Sequence, residues 1–227
     1  MKTKLLAILV SGACAAFALP AQAAPGFCSD GQATPNITVD DVKYEGVNAK
    51  DCYGVHPDNL ESPAVAPFAN TTLATKWGAG WTWVTKDEGD AAANGSFGGF
   101  DFVLQAGNMT TNTGTWTLTA TDPAPETAPN LPAYLDFIVT LKSQKAMGFW
   151  LFDDAKVVAS DQGVNGGTWA VEFRVTGNST DWPALSHMDI LMREGAIPPT
   201  AQVPEPMSLA LLGLGLVGLG AFRRRRN

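Results

Sequence analysis

The sequence predicts an all-β fold: an antiparallel β-sandwich, jelly-roll-like, set between an N-terminal signal peptide and a single C-terminal transmembrane helix. Three observations carry this. Apolar and polar residues alternate over short runs, Gly, Pro, Asn and Asp bound those runs, and no long helical period interrupts them. Many short strands with turn signals between them fit a sandwich better than a parallel sheet. The domain is expected over residues 24–197, long enough for one core of its own.

Nine runs read as strands, giving eight or nine in all. They lie at residues 37–44, 73–77, 81–85, 100–105, 115–121, 134–141, 147–152, 169–175 and 185–193. In residues 115–121, Trp116, Leu118 and Ala120 share one face and the Thr residues the other. In residues 169–175, Trp169, Val171, Phe173 and Val175 lie opposite Glu172 and Arg174. Residues 134–141 and 147–152 are more continuously apolar, as central strands are. Gly114-Thr115-Trp116 and Gly167-Thr168-Trp169 echo each other and mark two similar strand starts. Residues 122–132 carry four prolines and read as a loop, and residues 198–202 as a linker.

The ends are addresses rather than fold. Lys2 and Lys4, an apolar run to Leu19, and Ala21-Gln22-Ala23 form a secretory signal peptide over residues 1–23, cleaved before Ala24. Cys14 does not make a lipobox, because Ser11 stands where that motif takes a Leu-like residue. With both ends set aside, nine basic residues face 21 acidic ones, a net charge near −12. Such a domain repels phosphate backbones, which argues against nucleic acid as a partner.

At the other end, Pro204, Glu205 and Pro206 precede an apolar run over residues 207–222, then Arg223, Arg224, Arg225 and Arg226. A 16-residue helix reaches about 24 Å, short of a hydrocarbon core of roughly 30 Å. The arginines stay cytoplasmic under the positive-inside rule and leave the domain outside. Gly213 to Gly218 fits GxGxxG, but no strand, second strand or downstream acid accompanies it, so it is no dinucleotide site.

This tail, residues 203–227, resembles the PEP-CTERM sorting signal: a Pro-Glu-Pro motif, a short transmembrane segment and a basic terminus. The resemblance implies recognition of Pro204, Glu205 and Pro206 by an exosortase, an integral-membrane cysteine protease-transpeptidase. It further implies export across the inner membrane, a transient membrane anchor, then a place at the cell surface or in an exopolysaccharide or biofilm matrix. The middle is also similar to a recurrent PEP-CTERM ectodomain, in residues 100–104, the paired Gly-Thr-Trp strands, residues 148–152 and Leu185-Ser186-His187. No activity follows from that.

Candidate chemistry is sparse. Cys28 and Cys52 remain after the leader, and an exported pair becomes a disulfide more often than it stays as free thiols. His187 with Ser186 and Asp189 evokes a hydrolase, but adjacent strand residues point to opposite faces, so Ser186 and His187 do not pair. No catalytic residue is singled out, and a non-catalytic role is expected. Asp153, Asp154 and Asp161 supply hard oxygens of the kind calcium takes, though a solvated loop is the more ordinary reading. No other cofactor is implied. Trp77, Trp81 and Trp83 either fill the core or stack on sugar, the second making the domain a carbohydrate-binding module for the exopolysaccharide.

Overall fold

The computed structural model describes residue 28 and residues 37–56, 60–89, 92–144, 146–173 and 183–197. The signal peptide, the linker at 198–202 and the sorting tail from 203 lie outside the described residues. In chain order the elements are β1 (Lys43–Tyr44), β2 (Val47–Asn48), β3 (Asp51–His56), α1 (Val65–Thr71), α2 (Ala74–Trp77), β4 (Thr82–Asp87), β5 (Ala93–Phe97) and β6 (Phe100–Ala106). They continue with β7 (Thr113–Thr121), β8 (Ala133–Ser143), β9 (Ala146–Val157), β10 (Asn165–Ala170) and β11 (His187–Glu194).

Two antiparallel sheets carry the fold. The larger runs β3-β9-β8-β11-β4 and the smaller β10-β7-β6-β5. β1 and β2 form a separate hairpin, tied to the smaller sheet by a bridge from Val42 to Trp169. The alternating residues named from sequence meet between the sheets. Trp116, Leu118 and Ala120 of β7 share one core with Phe137 and Val139 of β8 and Met188, Ile190 and Met192 of β11. Tyr44, Phe137 and Phe152 form its aromatic centre, with ring centroids 4.9 Å apart for Tyr44–Phe137 and for Phe137–Phe152.

β8 and β9 are buried on both faces, as their apolar runs require. Their second face needs a cover, and the segment carrying α1 and α2 supplies it. Val65, Ala69, Leu73, Trp77 and Trp81 pack on Ile138, Met147, Phe149, Leu151 and Leu191. This corrects the strand expected at 73–77. Leu73 caps α2 and Trp77 ends it. Val65, Ala69, Leu73 and Trp77 recur every four residues, which puts all four on one helical face.

Two further differences have local causes. The strand expected at 37–44 is reduced to β1, because Asp41 accepts from both the N–H and the hydroxyl of Thr38 at 2.8 Å. Such side-chain bonds compete with a strand ladder. Pairing expected to run from Trp169 to Val175 starts earlier, at Asn165, and among the described residues, which end at Phe173 here, it stops at Ala170. Ala170 and Val171 then donate to Asp41 and Asn112 backbone oxygens instead. β3 and β5, which lack a clean apolar alternation, were not legible at all.

The Gly-Thr-Trp echo has a structural basis. The two triplets are cross-strand partners, with Gly167 opposite Trp116, Thr168 opposite Thr115 and Trp169 opposite Gly114. Each tryptophan faces the other triplet's glycine. A Cβ on Gly114 would meet Trp169 Cζ2 at 2.6 Å, and one on Gly167 would fall on the Lys43 carbonyl oxygen. That close approach of β1 lets Lys43 O accept the Trp116 indole N–H at 3.0 Å. The Trp169 indole N–H in turn reaches Thr115 O at 3.1 Å.

Cys28 and Cys52 are bonded, Cα to Cα 4.9 Å, closing a loop of 24 residues. A loop of this size stabilises by about 3 kcal/mol in the chain-entropy account.

Because the space above Gly114 is closed by the Gly107 carbonyl oxygen at 2.3 Å and the Trp169 indole at 2.6 Å, Gly114→Ala is expected to cost about 1–3 kcal/mol through overpacking. Urea unfolding of the isolated protein measures it, with near-ultraviolet circular dichroism reporting the displaced Trp169. An unchanged midpoint would show that the strand pair does not depend on this fit.

Candidate functional site

The outer face of the larger sheet has an apolar half under the helices and a polar half beyond them. β11 places His187 and Asp189 two residues apart and so on one face, β8 contributes Thr140 and Lys142, and β4 contributes Trp83. The loop entering α1 brings Glu61 and Ser62 across the sheet.

Asp189 is the centre. Its carboxylate is fully buried, a position that costs free energy unless donors surround it. Ser62 donates its hydroxyl to Oδ1. Trp83 donates its indole N–H to the same oxygen at 2.9 Å, and Thr140 its hydroxyl to Oδ2 at 3.2 Å. His187 Nε2 stands 3.3 Å from Oδ2, an ion-pair distance but off the line of a hydrogen bond. Burial pushes this carboxyl up. The neighbouring His187, with the Ser62 and Trp83 bonds, outweighs burial and holds it below the ordinary carboxylate value. Beside it, Lys142, itself buried, pairs with Glu61 at 3.1 Å.

Serine, histidine and aspartate thus meet, but in an order that does not make a nucleophile. The carboxylate, not the imidazole, receives the Ser62 hydroxyl, whereas a hydrolase triad needs the imidazole between the two. The serine is Ser62 and not Ser186, whose side chain is exposed. Ser62 lies far from His187 in sequence, and no spacing signal could have joined them.

The three tryptophans do not form a sugar platform. Trp77 and Trp81 are 5% and 3% exposed. Trp77 donates to Asp51 Oδ2 at 2.9 Å. The Trp81 ring is covered by the Arg193 guanidinium, 4.2 Å from its centroid. Trp83 is half-buried and spends its N–H on Asp189. Trp81 and Trp83 do share a sheet face, as alternation requires, but the helices cover only the first.

The acidic candidates are separated by their partners. Asp153 pairs with Lys50, and Asp154 Oδ1 accepts the Ala196 N–H at 2.5 Å. Asp161 sits in an exposed turn. Among the described residues no group of three or more His, Cys, Asp or Glu side chains is arranged to hold a metal. A groove of about 390 Å³ opens where the β1–β2 hairpin meets the end of β9. Tyr44, Phe152 and Ala155 line it, with Asn48, Lys50 and Lys156 also on its walls.

One titratable group outside these sets is strongly perturbed. Asp41 is 7% exposed, and burial raises its carboxyl to about 6 against the opposing pull of the Thr38 bonds, with Glu172 and Asp40 adding to the rise. The folded value lies above the ordinary 3.8, so the fold holds this proton more tightly than the unfolded chain does. Stability is therefore expected to fall as pH rises from about 4 to about 6, by on the order of 3 kcal/mol for this carboxyl. Thermal unfolding against pH should show that slope, and Asp41→Asn should flatten it. An unchanged slope in the variant would assign it to other groups.

Among the described residues no helix is long and apolar enough to cross a membrane. No curated protein and no solved structure matches the chain. The segment that does match is the tail: residues 202–226 fit the family model of the PEP-CTERM protein-sorting motif, and this chain therefore carries a PEP-CTERM sorting motif behind its antiparallel β domain.

Proposed function

We propose that this protein is an exosortase substrate: an exported, non-catalytic surface or matrix protein whose jelly-roll-like sandwich is the delivered part. Residues 1–23 direct export and are removed before Ala24. Residues 207–222 then hold the chain in the inner membrane, with Arg223, Arg224, Arg225 and Arg226 inside. Pro204, Glu205 and Pro206 present the processing site outside, and removal of the tail releases the domain to the cell surface or an exopolysaccharide matrix. The observation that carries this reading is the sorting-motif match at residues 202–226. The non-catalytic part is supported by the Ser62–Asp189–His187 order, in which the carboxylate and not the imidazole receives the Ser62 hydroxyl.

The reading is tested by mass spectrometry of the cell-surface form. A chain beginning at Ala24 and lacking everything beyond the Pro204–Pro206 region is expected. Replacing Pro204 and Pro206 with Ala should leave the full-length tail in the membrane fraction. A surface form that retains Arg226 would refute processing.

The second reading is a carbohydrate-binding module. The groove beside Tyr44 and Phe152, with amide and ammonium groups on its walls, favours it over the buried tryptophans as the glycan contact. Sugar rings seat on apolar surface while their hydroxyls take directed polar partners. Binding of the producing cell's exopolysaccharide, measured calorimetrically, should then weaken at least tenfold in Asn48→Ala/Lys50→Ala and stay unchanged in Trp83→Phe. Equal binding in both variants would exclude the groove.

A further inference from the structure

We infer that the groove between the β1–β2 hairpin and the end of β9 selects a carboxylated sugar, a uronic acid residue within a largely neutral polysaccharide chain, and that Lys156 pairs with its carboxylate. This rests on the carbohydrate-binding reading above and names the class of sugar.

The groove is preformed. The hairpin turns through Glu45 and Gly46, with φ of 51° and 77°, and sets Tyr44 opposite Val47. This is the tight two-residue turn whose twist matches the strands that it joins. Glu45 fixes the turn to β10 twice. Its N–H donates to Gly166 O at 2.7 Å, and its Oε1 accepts the Gly166 N–H at 2.9 Å. The Tyr44 hydroxyl donates to Lys156 O at 2.8 Å, so the hairpin also holds the β9 backbone at Lys156. Walls tied in this way leave little ordering to be done on binding. The volume of about 390 Å³ lies toward the lower end of small-ligand sites and suits a short stretch of sugar chain.

The charges decide which sugar. Seven basic side chains lie among the described residues. Five are spent on carboxylates: Lys50 on Asp153, Lys76 on Asp51, Lys86 on Glu88, Lys142 on Glu61 and Arg193 on Asp136. Lys43 and Lys156 make no ion pair among the described residues, and of the two only Lys156 lines the groove. The two acids on the walls, Glu45 and Asp153, are already engaged by Gly166 and Lys50. With Lys50 and Lys156 they sum to zero, inside a domain whose charge is near −12. An incoming carboxylate therefore meets no net repulsion here, and one ammonium without a partner. Tyr44, Phe152 and Ala155 give the face of a sugar ring an apolar seat. A polymer charged at every residue fits poorly, because the acidic surface beyond the groove repels it. An isolated uronate flanked by neutral sugars meets both conditions.

The test is calorimetric, on the full-length protein in detergent, with the producing cell's exopolysaccharide in two forms. One form is native and the other carboxyl-reduced, so that each uronate has become the neutral hexose. Reduction should weaken binding at least fivefold. Lys156→Gln should weaken binding of the native polymer by a similar factor and leave the reduced polymer unaffected. Lys43→Gln should bind both forms as the wild type does. Lys156 is exposed, so the variant should fold, and an unchanged near-ultraviolet circular dichroism spectrum checks it. Equal binding of the two polymers by the wild type would overturn the uronate class and leave the carbohydrate reading standing. A fivefold loss on reduction that Lys156→Gln does not reproduce would overturn the role given to Lys156. Binding of neither polymer would overturn this inference and the carbohydrate reading together.

Discussion

The two central strands of the larger sheet have no face open to water over most of their length, and the rest of the molecule follows from that. β8 is buried from Leu135 to Ser143 and β9 from Ala146 to Phe152. Each strand pair can hydrogen-bond within its sheet, but neither face can be left in water without losing the hydrophobic contribution of both. The smaller sheet covers one face through Trp116, Leu118 and Phe102. The segment carrying α1 and α2 covers the other through Leu73, Trp77 and Trp81. The two covers come from different stretches of the chain, and neither has an independent core. The domain accordingly folds as one body, with the Tyr44–Phe137–Phe152 rings at its centre and the disulfide tying Cys28 to β3.

Much of this architecture could be read from the sequence because period two is a strong signal when one face is apolar. β7 is the clear case: Thr alternates with Trp116, Leu118 and Ala120, and those three are buried. The continuous apolar runs of β8 and β9 also declared themselves. What could not be read had a competing cause. The 65–77 stretch carries its four buried residues at every fourth position, a helical spacing that a five-residue window at 73–77 hides. β3 holds Asp51 and His56 at its ends and Gly54 within it, and it pairs only along one edge, to β9. Residues 37–41 bond to themselves through Thr38 and Asp41, a matter of side-chain geometry and not of pattern.

The site was less legible than the fold, for a reason of distance along the chain. His187 and Asp189 share a strand face, and alternation alone puts them together. Ser62 and Trp83 reach Asp189 across 127 and 106 residues, and only the completed sheet with its covering loop brings them there. The sorting tail is the opposite case. Its parts are consecutive, so order and spacing carry the whole signal, and the match to residues 202–226 needs no fold to be seen. Arg193 lies between these extremes: it is visible in sequence near the end of an apolar strand, yet nothing there names Asp136 or Trp81 as its partners.

The exchange between the two Gly-Thr-Trp triplets bears on how this domain tolerates change. Each glycine is closed in by backbone: a Cβ on Gly114 would lie 2.3 Å from Gly107 O, and one on Gly167 1.9 Å from Lys43 O. Bulk therefore cannot be moved from a tryptophan onto the glycine opposite it. The tryptophans can shrink and leave a void, whereas the glycines hold fixed, so variation at this strand pair runs in one direction.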